Sequence, residues 1–400
     1  MELFSTPWDI FSSLFVFLFG LIFSININKY FKVKKIRSAI IYLWHTFFCV
    51  LYLNYVLNKG GDALWYYQLS QTNDIEFSFG TIGIVVITMF FSSILNLSLF
   101  GTFLAFNIFG YIGLLAFDAS LQQTIKNKSK LFYWFITLLV FLPSISFWSS
   151  AIGKDSLAFM ATGLALWSTV QIRQRPFLLF LAIFIMLISR PHIAALMLIA
   201  FIISIIAQKK LPLIQRIIFC FIGLSCSAIL IPFAMNYAGL SQLDQLTEYV
   251  EQRQSYNQEG TGGIDIAAMN TPLKLFTYLF RPLPFEANSI FALAASLDNI
   301  ILLGLFLCGS ISIIKGVKQK FHDNRIFLWI YAISCWFVLG FTTANLGISL
   351  RQKWMFTPIF IYLFISILGK KRKTVSGINK PLVLSDQQKH FLHEKKMFLQ

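Results

Sequence analysis

Residues 142–156 read LPSISFWSSAIGKDS and stand where two strongly apolar runs, 131–147 and 157–172, meet. Pro143 lies near the end of the first run, and the interface-type Trp148 and the adjacent charges Lys154 and Asp155 fall between the two. A charged side chain within hydrocarbon costs roughly 2.5–3.5 kcal/mol at a helix centre unless it meets water, a partner or a ligand. Lys154 and Asp155 are therefore candidates for a functional site, and the plain alternative is a wet loop that joins two helices.

Working outward, such apolar runs recur along the whole chain. The 400 residues are 57% hydrophobic and only 12% charged, with a mean hydropathy of +0.69. Soluble domains carry about a quarter charged residues, so this composition predicts an all-α polytopic integral membrane protein. Helices of about 20 residues with short connections allow about eleven spans. One transmembrane domain is expected over residues 1–368, with outer loops at 58–80, 148–156 and 236–288 and a basic cytoplasmic tail at 369–400. The apolar pattern at 81–117 is too long for one crossing, while the flanking charges require an odd number. Residues 99–117 are read as the span and 81–95 as an interfacial or re-entrant helix on the outer face.

The net charge of +16 would suggest nucleic acid in a soluble protein. Here its distribution gives another meaning. Basic residues cluster at 29–37, 126–130, 173–175, 209–216, 315–320 and 370–373, whereas acids gather at 62–76 and 244–265. By the positive-inside rule the basic clusters are cytoplasmic, which sets the N-terminus outside and the C-terminus inside. The charge is topology, and no nucleic-acid partner is expected. The five cysteines, at 49, 220, 226, 308 and 335, lie inside apolar runs with no ligand spacing, so neither disulfide nor metal is expected, and no cofactor. His390 and His393 share metal-like spacing, but lysines flank them in a solvated tail.

Several polar groups fall on the face read as outer. Gly60-Gly61 precede Asp62, which Trp65, Tyr66 and Tyr67 follow. Ser189-Arg190-Pro191-His192 joins two apolar runs, 177–188 and 193–207, each short for a bilayer, which sets Arg190 below the surface in a recess. Snorkelling is the alternative for Arg190, and a hydrogen-bonded structural role suits His192 better. Arg281-Pro282-Leu283-Pro284-Phe285-Glu286 forms a stiff piece in the largest loop, where Arg281 and Glu286 either face a substrate or merely pair with each other. Arg351 lies in a later outer loop beside Lys353, and Asp298-Asn299 breaks the start of the apolar run at 293–314. Three arginines with Lys154 suit an anion of phosphate or pyrophosphate type. Asp62, Asp155 and Glu286 are the carboxylates able to act as base.

FLPSISFWSSAIGKDSLAF at 141–159, SRPH at 189–192, YLFRPLPFEAN at 278–288 and GGDALWYYQL at 60–69 together resemble integral-membrane polysaccharide-assembly proteins. These are the Wzy-type oligosaccharide repeat-unit polymerases, with the EpsG-like group, and their relatives, the GT-C-fold glycosyltransferases. The resemblance implies that undecaprenyl-pyrophosphate-linked repeat units are joined on the outer face of the bacterial inner membrane to build O-antigen, capsule or exopolysaccharide. It implies no cofactor. The implied partners are polyprenyl-linked oligosaccharides, membrane lipid, a chain-length regulator and a flippase. In GT-C enzymes an acid of the first outer loop is the catalytic base, and Asp62 matches it. Arginines that engage the lipid-linked substrate in the polymerases are matched by Arg190, Arg281 and Arg351. Many GT-C first loops carry paired acids, whereas Asp62 is followed by Ala63, which favours the polymerase. Two other readings stay open: a GT-C glycosyltransferase with a polyprenyl-phosphate sugar donor, and a non-enzymatic flippase, which the lack of a visible inverted repeat disfavours.

Overall fold

The computed structural model describes residues 4, 6–72, 75–125, 128–207, 263–266, 268–317 and 324–369, with scattered positions from 213 to 255. The apolar run at 217–234, which reads as a further span, and the stretch at 241–254 in the largest loop, which reads as a short helix, lie mostly outside the described residues, and the tail from 370 on lies wholly outside them.

The described residues form helices and no strand longer than a single bridge, Gly263 to Asn345. In chain order these are α1 (Pro7–Phe31), α2 (Lys35–Lys59), α3 (Asp62–Leu69), α4 (Thr81–Met89), α5 (Leu99–Thr124), α6 (Lys130–Val140), α7 (Pro143–Ser149), α8 (Lys154–Val170), α9 (Pro176–Ser189) and α10 (Pro191–Ala207). After the large loop come α11 (Thr271–Phe280), α12 (Ile290–Ile314), α13 (Arg325–Thr342), α14 (Leu346–Gln352) and α15 (Thr357–Ile367). Many starts carry an oxygen side chain that accepts an orphan amide of the first turn. Thr6 and Asp9 form a reciprocal capping box on α1, Ser98 caps α5, Ser129 caps α6, Asn270 caps α11, Ser289 caps α12, and Asn345 caps α14.

Among the described residues six segments are long and apolar enough to cross a membrane: α1, α2, α5, α6 with α7, α12 and α13. Four shorter apolar ones accompany them: Thr81–Ile94, α9, α10 and α15. The chain is thus an all-α membrane protein. The helix expected at 81–95 is present as α4, which runs into a π-helical turn, Phe90–Ile94. The single run expected at 131–147 breaks at Phe141–Leu142, because Pro143 cannot donate to the preceding turn and instead opens α7.

At the centre α5 crosses α8 with backbone against backbone. A Cβ at Gly163 would lie 2.3 Å from the Gly113 carbonyl oxygen, so no larger residue fits the crossing. Farther along α5, the fully buried Asp118 takes both Nε and Nη2 of Arg37, at 2.9 and 2.7 Å, and so ties α5 to the start of α2. These contacts fix α5 and α8 as the frame on which the other end of the bundle is built.

Candidate functional site

Two carboxylates reach that other end in the same way. Gly61 (φ 142°, ψ 173°) precedes Asp62, the first residue of α3, and Gly153 (φ 153°, ψ −179°) precedes Lys154 and Asp155, the first two residues of α8. Such a conformation is essentially glycine's alone, so GGD and GKD are local instructions for turning the chain into a helix with an acid in its first turn. An acid there also complements the helix dipole.

Arg190 is delivered by a helix break. It receives the end of α9 through its amide, which donates to the Met186 carbonyl at 2.6 Å, while its own carbonyl accepts Ile193 and Ala194 amides of α10 at 3.0 Å. Pro191 has no amide to lose as the first residue of α10. The freed Ile188 carbonyl accepts the Gly80 amide at 2.8 Å, which anchors the start of α4 beside this turn.

The charges meet in one chain of contacts. Asp155 accepts Arg190 Nη2 on Oδ1 at 2.7 Å and Arg351 Nε on Oδ2 at 2.9 Å, and Arg351 Nη2 reaches Asp62 Oδ2 at 3.0 Å. The Arg351 guanidinium lies 5.7 Å from the centre of the Trp148 ring. Asp155 is only 10% exposed against 56% for the Asp62 side chain. Burial pushes the Asp155 carboxyl up, but Arg351 and Arg190 together outweigh it and hold the group below the usual carboxylate range. Two arginines and two aspartates leave the chain formally neutral, so the pyrophosphate-ready cations expected from the sequence are partly occupied. Arg190 Nε is buried with no partner among the described residues.

Lys154 donates from Nζ to Thr81 Oγ1 at 2.7 Å, on α4. Arg281 and Glu286 do pair, at 2.8 Å from Nε to Oε1, and Glu286 Oε2 accepts the Leu283 amide at 2.7 Å. The Arg281 contact, partly opposed by burial and helped by the Leu283 amide, holds the Glu286 carboxyl below its ordinary range. Both Glu286 oxygens are thus occupied in folding the piece back on itself.

Between the pair and the chain of four lies a cleft of about 380 Å³. Leu51 and Tyr55 of α2, Phe147 and Trp148 of α7, and Phe291 of α12 line it, with Pro282 and Glu286 on one flank and Leu350 on another. Trp148 therefore serves two places, as a wall of the cleft and as the surface under Arg351. Of the seven residues expected, Asp62, Asp155, Arg190 and Arg351 come together, Lys154 adjoins them in sequence, and Arg281 with Glu286 form a separate group beside the cleft.

Three further polar residues, a polar pair that interrupts an apolar run and a loop cation, form a second group. Asp298 and Asn299, on α12, and Lys353, in a 3-10 turn after α14, are all buried. Lys353 Nζ donates to Asn299 Oδ1, Asn299 Nδ2 donates to the Pro282 carbonyl at 3.0 Å, and Asp298 Oδ2 accepts the Ser144 amide at 2.8 Å. Their signal was a polar pair inside an apolar run, facing a basic residue far along the chain. Among the described residues no group of three or more His, Cys, Asp or Glu is placed to hold a metal ion. No protein-family model, no curated protein and no solved structure matches this chain.

Proposed function

We propose that this chain is a bacterial inner-membrane polymerase of about eleven spans and GT-C-like design, N-terminus outside and C-terminus cytoplasmic. It joins undecaprenyl-pyrophosphate-linked oligosaccharide repeat units on the outer face. One observation carries the reading: the linked charges Arg190, Asp155, Arg351 and Asp62 beside an apolar cleft. Guanidinium groups match the pyrophosphate of the donor, and the apolar walls match a polyprenyl chain. Asp62 is the base of choice, because it is the most exposed of the four and among the described residues holds a single ion-pair contact, whereas Asp155 and Glu286 have both oxygens engaged.

The acceptor hydroxyl gives its proton to Asp62 as its oxygen bonds to the anomeric carbon of the donor sugar. The bond from that carbon to the phosphate oxygen breaks, and its electron pair leaves with the polyprenyl pyrophosphate. Arg351 and Arg190 then exchange part of their contact with aspartate for the departing charge. Asp155 orients both arginines and takes no proton.

The experiment is the surface-polysaccharide ladder in cells whose own polymerase has been deleted. Wild type should give a ladder of repeat units, and Asp62→Asn should reduce it on the order of 10²- to 10⁴-fold, the span of a lost general base. A single added sugar in place of a ladder would favour the GT-C transferase, and full activity of Asp62→Asn would remove the base.

A further inference from the structure

One turn of α12 holds both walls of the cleft. Through Asp298 it takes the Ser144 amide at the start of α7, which carries Phe147 and Trp148. Through Asn299 it takes the Pro282 carbonyl, next to Arg281 and four residues before Glu286. Lys353 meets that turn from the other side, with Nζ on Asn299 Oδ1 and 5.4 Å from the Trp354 ring, and stands two residues after Arg351. Lys353 and Asn299 are both fully buried, at 0% exposure.

A lysine is a costly choice for such a place. An unbranched apolar residue of similar length would avoid the desolvation of an ammonium group, so a structural role alone gives no reason for the charge. What the charge adds is polarisation: an amide whose oxygen accepts from a cation donates more strongly through its nitrogen, and this nitrogen holds the Pro282 carbonyl. Burial drives the Lys353 ammonium down to about 7, against the partial support of Asp298.

We propose that Lys353 is a positioning residue that, through Asn299, fixes the Arg281–Glu286 piece against the cleft and in register with Arg351. Its effect on polymer formation rests on the transfer reaction proposed above, whereas the clamp itself can be measured without it.

The test is amide hydrogen exchange on the purified full chain at about pH 6, below the Lys353 value of about 7, so that the ammonium is charged. Lys353→Met should raise exchange at the amides of Leu283, Glu286 and Ala287 at least tenfold, the loss typical of a charge-assisted bond, with α1 and α2 unchanged. Lys353→Gln, which keeps a donor without the charge, should show the same rise if the Met variant does not fold. Lys353→Met/Asp298→Leu removes both buried charges and should regain thermal stability without regaining protection at 283–287. Recovery of stability and protection together would make Lys353 merely structural, and unchanged exchange in the single variants would overturn the clamp. Polymer length should fall in every variant that loses protection. Full-length polymer from such a variant would overturn the positioning role, while a wild type that makes no polymer would sink the functional reading and leave the exchange result standing.

Discussion

Asp155 has both oxygens on arginines, one from the α9–α10 break and one from α14, so it joins the cluster, and in the proposed reaction it orients the two guanidinium groups. Each partner was visible in the sequence, because a charge beside an apolar run has few bland explanations. The pairing was not visible, since Asp62, Asp155, Arg190 and Arg351 are scattered along the chain and nothing local records which acid meets which arginine. In the sequence Lys353 is only a loop cation, because its burial depends on contact with α12. That burial yields a pH signature. The folded value of about 7 lies below the ordinary 10.5, so between these values the unfolded chain binds more protons and stability rises with pH. Relative to Lys353→Met, wild type should therefore gain unfolding midpoint between pH 7 and pH 9. Parallel curves for the two proteins would mean that Lys353 reaches solvent.

Helix starts and breaks account for how these residues arrive. GGD and SRPH were legible as breaks because Gly and Pro act through the backbone alone, independent of the fold around them, whereas the turn at Gly153 emerges only from its backbone conformation. The eight-residue α3 was not legible as a helix, for so short an element depends on packing, here of buried Ala63 and Tyr66. At Gly153 space does not limit substitution, as a Cβ would sit 3.7 Å from the Tyr66 ring, but φ of 153° does. Gly153→Ala should cost about 1–3 kcal/mol from backbone strain and displace Asp155. Gly304→Ala, in the open interior of α12 with nothing within 4 Å, should be neutral or slightly stabilising. Thermal unfolding of the two variants side by side checks this, and equal midpoints would remove the strain.

Composition alone made the membrane class legible in the assembled chain, and the long helices followed from their apolar length. The cleft was not legible, since α2, α7 and α12 meet there from distant parts of the sequence. The short apolar helices were harder too. At 1.5 Å per residue, α9 and α10 reach only about 21 and 26 Å, below the thickness of hydrocarbon, so neighbours must shield their ends. The proposed orientation puts Phe285, 84% exposed, on the cell exterior. Phe285→Cys in a cysteine-free background should react with a membrane-impermeant maleimide in intact cells, and reaction only after permeabilisation would invert the topology. The site itself is best tried by the two guanidinium groups that meet at Asp155. Arg190→Lys and Arg351→Lys keep the charge and lose the planar fork, and each should lower polymer output on the order of ten- to a hundredfold at matched membrane abundance. The polysaccharide ladder of the two variants decides it: shortened, weakened ladders are expected, and normal long polymer from both would contradict an anion site at this cluster.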